Sequence, residues 1–214
     1  MTPQEASAQA LEICDTAPVI PVLVIDAVEA AADLAAALVA GGLPVLEVTL
    51  RTPAALGAIA AMAKVPGGIV GAGTLLTPED VAEAKAAGAT FGVSPGATER
   101  LMAACEEADL PLLPGAATAT EVMALLERGY TTQKFFPAEA AGGAPARKAS
   151  GAPLPQVAVC PTGGSDLAKA PSYLSAANVR CVGGSWVAPK DKVAKADWAG
   201  IEALAAEAAG LSRA

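Results

Sequence analysis

The sequence predicts an α/β protein, a closed (β/α)8 TIM barrel with an additional N-terminal helix, and three observations predict it. From Pro18 onward, β-branched runs alternate with Ala-rich stretches of helical period, as βα units around a parallel sheet do. Eight such runs can be counted before the chain ends. The length of 214 residues suits one barrel near the lower end of its size range. An open doubly wound sheet is the alternative architecture. With no linker, low-complexity tail or strong sequence repeat, residues 1–214 read as a single domain, 1–17 the N-terminal helix and 18–214 the barrel.

Taken in order, the helix before the first strand runs from Pro3 to Asp15. The strands are expected at Val19–Ile25, Val45–Leu50, Ile69–Gly73, Thr90–Val93, Pro111–Leu113, Thr132–Phe136, Gln156–Cys160 and Val179–Val182. Between them lie helical segments at Val28–Val39, Ala54–Ala63, Glu79–Ala86, Glu99–Glu107, Thr120–Glu127, Ala144–Ser150 and Leu167–Ser175, with Ile201–Ala209 after the last strand. Thr77-Pro78-Glu79-Asp80 supplies an N-cap, a proline in the first turn and two acids at the positive end of the helix dipole. Gly88 is placed to end that helix, and Gly41-Gly42 ends the Val28–Val39 segment in the same way.

Composition narrows the function classes. Twenty-two acidic residues against fourteen basic give a net charge of -8, which argues against nonspecific nucleic-acid binding. Mean hydropathy is +0.46, yet no apolar run approaches the length of a membrane span, and Met1 to Ala10 has no basic cluster of the secretory kind. A cytoplasmic protein with no membrane partner is the expectation. Cys14, Cys105, Cys160 and Cys181 are widely spaced and read as buried reduced thiols. The chain contains no histidine, so the commonest general base and the commonest transition-metal ligand are both missing. Acid–base chemistry must then use carboxylates, lysine, tyrosine or water, and no metal is expected.

The residue that most needs a reason is Lys134, in Thr132-Gln133-Lys134-Phe135-Phe136-Pro137-Ala138-Glu139, where the pattern is that of a mostly buried strand. Burial disfavours the charged form of an amine, and a neutral amine is a nucleophile for a ketone. An isolated strand lysine more often packs its stem on the sheet edge and keeps its head in water. The polar residues at the other strand ends, where a barrel holds its working groups, reverse that expectation.

On the second strand, Val45, Glu47, Thr49 and Arg51 share one face by the two-residue period, directing a carboxylate, a hydroxyl and a guanidinium toward the interior. A purely structural Glu47–Lys134 ion pair is the competing reading, and a costly way to gain stability. Gly71-Ala72-Gly73-Thr74 ends the third strand with room for close approach and one hydroxyl. Ser94-Pro95-Gly96 closes the fourth and reads equally as a turn or a substrate contact. Pro161-Thr162-Gly163-Gly164-Ser165 and Gly183-Gly184-Ser185-Trp186 follow strands seven and eight. Backbone N–H groups there, with a following helix N-terminus, make an anion site where barrels often hold phosphate.

These fragments, with Leu46-Glu47-Val48-Thr49-Leu50-Arg51-Thr52 at their head and in this order over nearly the whole chain, resemble the 2-keto-3-deoxy-6-phosphogluconate (KDPG) and 4-hydroxy-2-oxoglutarate aldolase family. The resemblance implies a homotrimeric (β/α)8 class I aldolase of the Entner–Doudoroff pathway, acting on a small phosphorylated 2-keto-3-deoxy sugar acid and releasing pyruvate. It implies no cofactor beyond a covalent Schiff base on Lys134, with Glu47 as the proton-transfer residue. By the same resemblance Arg51 and Thr74 hold the substrate carboxylate end, Pro95 and Phe136 shape the pocket, and Gly163, Gly164, Gly183, Gly184 and Ser185 bind phosphate.

Ser165-Asp166 follow the first glycine pair where the family usually has an apolar residue, and a carboxylate so near a phosphate site is expected to weaken binding. Gln133 and Arg147 stand where apolar residues facing the helical layer or a neighbouring subunit are expected. A galactonate-epimer aldolase, a phosphosugar isomerase or epimerase on the same barrel, and a noncatalytic assembly scaffold are the alternatives.

Overall fold

The structure, a computed structural model, describes residues 1–214. Helix α1 (Pro3–Asp15) is followed by β1 (Val19–Leu23), α2 (Ala31–Ala40), β2 (Val45–Thr49), α3 (Ala55–Met62), β3 (Ile69–Gly73), α4 (Pro78–Ala86), β4 (Phe91–Val93) and α5 (Glu99–Glu107). Then come β5 (Leu112–Leu113), β6 (Gly115–Ala116), α6 (Ala119–Arg128), β7 (Thr132–Phe135), α7 (Gly143–Gly151), β8 (Ala158–Pro161), α8 (Ala170–Leu174), β9 (Val182–Gly184), α9 (Lys190–Ala194) and α10 (Trp198–Ala209). No helix is long and apolar enough to cross a membrane.

Every strand pair is parallel. One sheet has the order β5-β4-β3-β2-β1-β9 and a second the order β6-β7-β8. Single parallel bridges, Val159 to Val179 and Thr162 to Gly183, link the second sheet to the β9 region. The chain is therefore an α/β fold of parallel strands joined by helical crossovers.

The strand ends differ from expectation in physically simple ways. The expected fifth strand is two short pieces, because Pro114 has no N–H to continue the ladder; its carbonyl still accepts from the Lys134 N–H at 2.8 Å. The last strand lies later than expected, so Gly183 and Gly184 are strand residues, paired with Ile20 and Pro21, and not a loop after it. Glycine hides a strand in a sequence search because it lacks the side chain that strand patterns are read from. The helix expected from Leu167 to Ser175 shrinks to α8, and α9 has no apolar period to announce it.

Most of the core lies between strands and helices, with Leu34, Leu38, Ile59, Met62 and Tyr173 among its fully buried members. A second cluster joins Ile20, Val45, Phe91, Val93, Leu113, Cys160 and Cys181 to Ala10 and Cys14 of α1. All four cysteines are buried and free. Helix α1 starts with a full capping box, Thr2 with Glu5. Its Ser7 Oγ accepts from the N–H groups of Thr131 and Thr132 at 2.9 Å each, and Asp15 at its end takes a two-point ion pair from Arg180 at 2.7 and 2.8 Å. The added helix thus anchors the start of β7, the strand that carries Lys134.

Candidate active site

Lys134 lies on the central strand of the β6-β7-β8 sheet and is 5% exposed, not at an edge with its head in water. Its Nζ is 3.3 Å from Oε1 of Glu47, which comes from β2 in the other sheet and is 3% exposed. Nζ also sits 5.1 Å from the centre of the Phe136 ring, within cation–π range. Gly73 makes room for this pair, since a Cβ there would collide with the Glu47 carboxylate. Burial raises the Glu47 carboxyl above the ordinary carboxylate range, and the Lys134 charge opposes that only in part. A carboxyl so placed can exchange a proton with groups bound at Lys134.

Above this pair opens a cavity of about 290 Å³. It is lined by Val22, Val24, Arg51, Lys134, Phe136, Thr162, Gly163, Gly164, Ser165, Gly183, Gly184 and Ser185. The structure therefore gathers from four separate segments the lysine, the guanidinium, the ring and all five residues expected to bind phosphate.

Arg51 donates from Nε to Thr74 Oγ1 at 3.3 Å and keeps the rest of its exposed guanidinium free. Thr74 itself has φ of 63°, a left-handed backbone that is costly for a β-branched residue. Pro95 does not line the Lys134 cavity. It borders the adjoining hollow, shared with Phe136, Gly96 and Gly115.

Gly163 and Gly164 have φ of 102° and 83°, a tight reversal closed to residues with side chains. No helix begins directly after this turn or after Ser185, since α8 starts at Ala170 and α9 at Lys190. The expected help from a helix N-terminus is absent, and any anion would meet loop backbone and the Ser185 hydroxyl. Asp166 does not line the cavity; it is capped by the N–H of Lys169 at 2.9 Å and paired with its Nζ at 3.3 Å. That backbone hydrogen bond, seconded by the Lys169 charge, holds the Asp166 carboxyl below its ordinary range. Lys169 also donates to the Gly164 carbonyl at 2.9 Å and lies 3.6 Å from Glu139, whose other oxygen accepts from Tyr173. The extra carboxylate is thus neutralised locally, and the expected repulsion of phosphate is reduced.

Thr162 and Ser165 line the cavity although the strand-end reading gives them no role; adjacency to the glycine pair is the only signal the sequence offers for them. Gln133 and Arg147, expected to face the helical layer or a neighbouring subunit, are buried within the chain.

Comparison with known proteins agrees with this geometry. Residues 11–204 match the family model of KDPG and KHG aldolase. The KHG/KDPG aldolase of Escherichia coli K12 is 50% identical over 197 residues, 92% of each chain. The 2-keto-3-deoxy-6-phosphogluconate aldolase of Zymomonas mobilis ZM4, solved with 3-phosphoglycerate, superposes with a TM-score of 0.91 at 50% identity, covering 95% of this chain and 96% of the other. A KDPG aldolase of Legionella pneumophila, holding pyruvate as a covalent carbinolamine intermediate, gives 0.90 at 44% identity, with 94% and 98% covered. A buried lysine–carboxylate pair beneath two glycine segments, matched over this much of the chain, has one reading: the chain belongs to the KDPG and KHG aldolase family of carbon–carbon lyases.

Proposed function

We propose that the protein is a class I aldolase that cleaves 2-keto-3-deoxy-6-phosphogluconate to pyruvate and glyceraldehyde 3-phosphate, and also acts on 4-hydroxy-2-oxoglutarate. The observation that carries the reading is the buried Lys134–Glu47 pair, 3.3 Å apart, under a cavity that ends in Gly163, Gly164, Gly183, Gly184 and Ser185. Lys134 as the neutral amine attacks the C2 ketone to give a carbinolamine. Glu47 donates the proton with which its hydroxyl leaves as water, forming the iminium.

The iminium draws in the electron pair of the C3–C4 bond as the Glu47 carboxylate takes the C4 hydroxyl proton, through a bound water. The aldehyde departs and an enamine remains on Lys134. A proton returned from Glu47 to C3 gives the pyruvyl iminium, and water releases pyruvate and the free amine. The raised Glu47 carboxyl suits a group that must donate and accept in one cycle.

Arg51, oriented by Thr74, takes the substrate carboxylate, and Phe136 with Pro95 walls the pocket. The glycine segments and Ser185 hold the phosphate. The two sheets form one closed (β/α)8 barrel over residues 1–214, with α1 as the added helix. Supporting closure are the bridges from β8 to the β9 region on one side and, on the other, the single residue Pro114 between β5 and β6. Family likeness supports a homotrimer in the cytoplasm.

The test is pyruvate release from the phosphorylated substrate, coupled to lactate dehydrogenase, in the wild type and in Lys134→Arg. Turnover is expected in the first and a loss of at least about a hundredfold in the second, since a guanidinium cannot form the Schiff base. An isomerase or epimerase would release no pyruvate from either protein. Comparative kinetics on the gluconate and galactonate epimers assigns the substrate.

A further inference from the structure

Gln133 and Arg147 stand outside the Lys134 cavity. Gln133 adjoins Lys134 on β7, and its side chain points to the opposite face of the strand, toward the helices. It is 1% exposed, and its Nε2 donates to the carbonyls of Tyr130 at 2.9 Å and Val122 at 3.2 Å. Those two bonds fix the amide's orientation and leave Oε1 with no donor. Arg147 on α7 is 6% exposed; Nη1 donates to Ser150 Oγ at 3.3 Å, while Nε and Nη2 have no acceptor and no carboxylate is paired with them. Arginine is rarely buried unpaired, because the lost hydration must be replaced by a counter-charge.

Both side chains border one cavity of about 30 Å³, whose other walls include Val122, Phe135, Leu154 and Val157 and contain no acid. The volume exceeds the roughly 10–15 Å³ that a single water needs. Nε–H and Nη2–H are the two parallel donors that a guanidinium offers to two oxygens of one planar anion. Oε1 asks for a hydrogen from the same ligand.

We propose that Arg147 and Gln133 form a binding site for a small planar oxyanion that keeps one hydrogen, bicarbonate in its chemistry. Two oxygens accept from Nε–H and Nη2–H of Arg147, and the hydroxyl donates to Oε1 of Gln133. Arg147 also borders the groove between α7 and α8, which Lys148 lines as well and where Lys169 is already paired with Glu139 and Asp166.

Thermal unfolding of the full chain at fixed pH and ionic strength, in bicarbonate, formate or chloride, tests the site without reading activity. A saturable rise in Tm is expected with bicarbonate, a smaller one with formate, which lacks the hydroxyl, and none with chloride. Arg147→Met should fold, since it removes an unpaired charge and keeps an unbranched chain, and should lose the response. Gln133→Leu should reduce the bicarbonate response to that of formate. Crystals of the wild type grown in bicarbonate should show a three-oxygen ligand on Nε and Nη2. An equal Tm response in wild type and Arg147→Met overturns the proposal. So does a cavity holding only water in those crystals, or a carboxylate of a second copy seated on Arg147; the crystal decides alone should Arg147→Met fail to fold.

Discussion

Replacing Gly73 by alanine puts a methyl carbon 2.7 Å from Cγ and 2.9 Å from Cδ of Glu47, and closer still to Oε1. Glu47 is 3% exposed, so its carboxyl has no open space to retreat into and must leave its place beside Lys134. Overpacking of this kind costs about 1–3 kcal/mol. Gly73 is not among the residues with left-handed backbone, so alanine also recovers about 0.4–1 kcal/mol of unfolded-chain entropy. The net destabilisation, at most about 2.5 kcal/mol, lowers Tm by no more than about 10 °C in a chain of this size.

Loss of a positioned acid–base group costs about 10²–10⁴ in rate, equivalent to about 2.7–5.5 kcal/mol of transition-state stabilisation. Gly73→Ala is therefore expected to remain folded and to lose at least about a hundredfold in kcat. Pyruvate release coupled to lactate dehydrogenase measures the rate, and a melting curve measures the fold. A variant with kcat within about threefold of wild type and an unchanged Tm would refute the reasoning that Glu47 must sit in that one place.

Two further perturbations bear on the same site. Burial raises the folded-state value of the Glu47 carboxyl above its unfolded one, so its contribution to stability is full below the ordinary carboxylate range and is lost as pH rises through the folded value. Glu47→Gln does not titrate, so its urea midpoint relative to wild type should climb as pH rises above the ordinary carboxylate range; a constant or falling difference contradicts the sign. Lys169→Ala releases Asp166 and Glu139 beside Gly164, and KM for the phosphorylated substrate should rise roughly three- to fivefold with little change for the unphosphorylated one. Adding Asp166→Asn should restore part of the loss, and an equal rise for both substrates would show that Lys169 only shapes the loop.

The barrel-like order of strands and helices was legible because apolar runs and Ala-rich periods report burial directly. Helix α1 and the Thr77 cap match the sequence reading residue by residue, since capping chemistry is local. The break at Pro114 and the last strand, which moved onto Gly183 and Gly184, were not legible, although the glycine-bearing end of β3 at Gly73 lies where the sequence places it. Lys134, Glu47, Arg51 and the glycine segments were legible as a group because strand ends converge by topology. The Lys169 clasp on Asp166, the separation of Pro95 from the lysine cavity and the shared cavity of Gln133 with Arg147 depend on how loops and helices pack. Spacing along the chain carries no record of such contacts between side chains far apart in sequence.

Reductive trapping reaches the central chemical claim most directly. The protein is incubated with pyruvate, reduced with borohydride, and its intact and peptide masses are measured. One reduced pyruvyl group per chain is expected, on the peptide containing Lys134, with none in Lys134→Arg. An unmodified wild-type chain, or an adduct on any other lysine, would contradict the assignment of Lys134 as the Schiff-base residue.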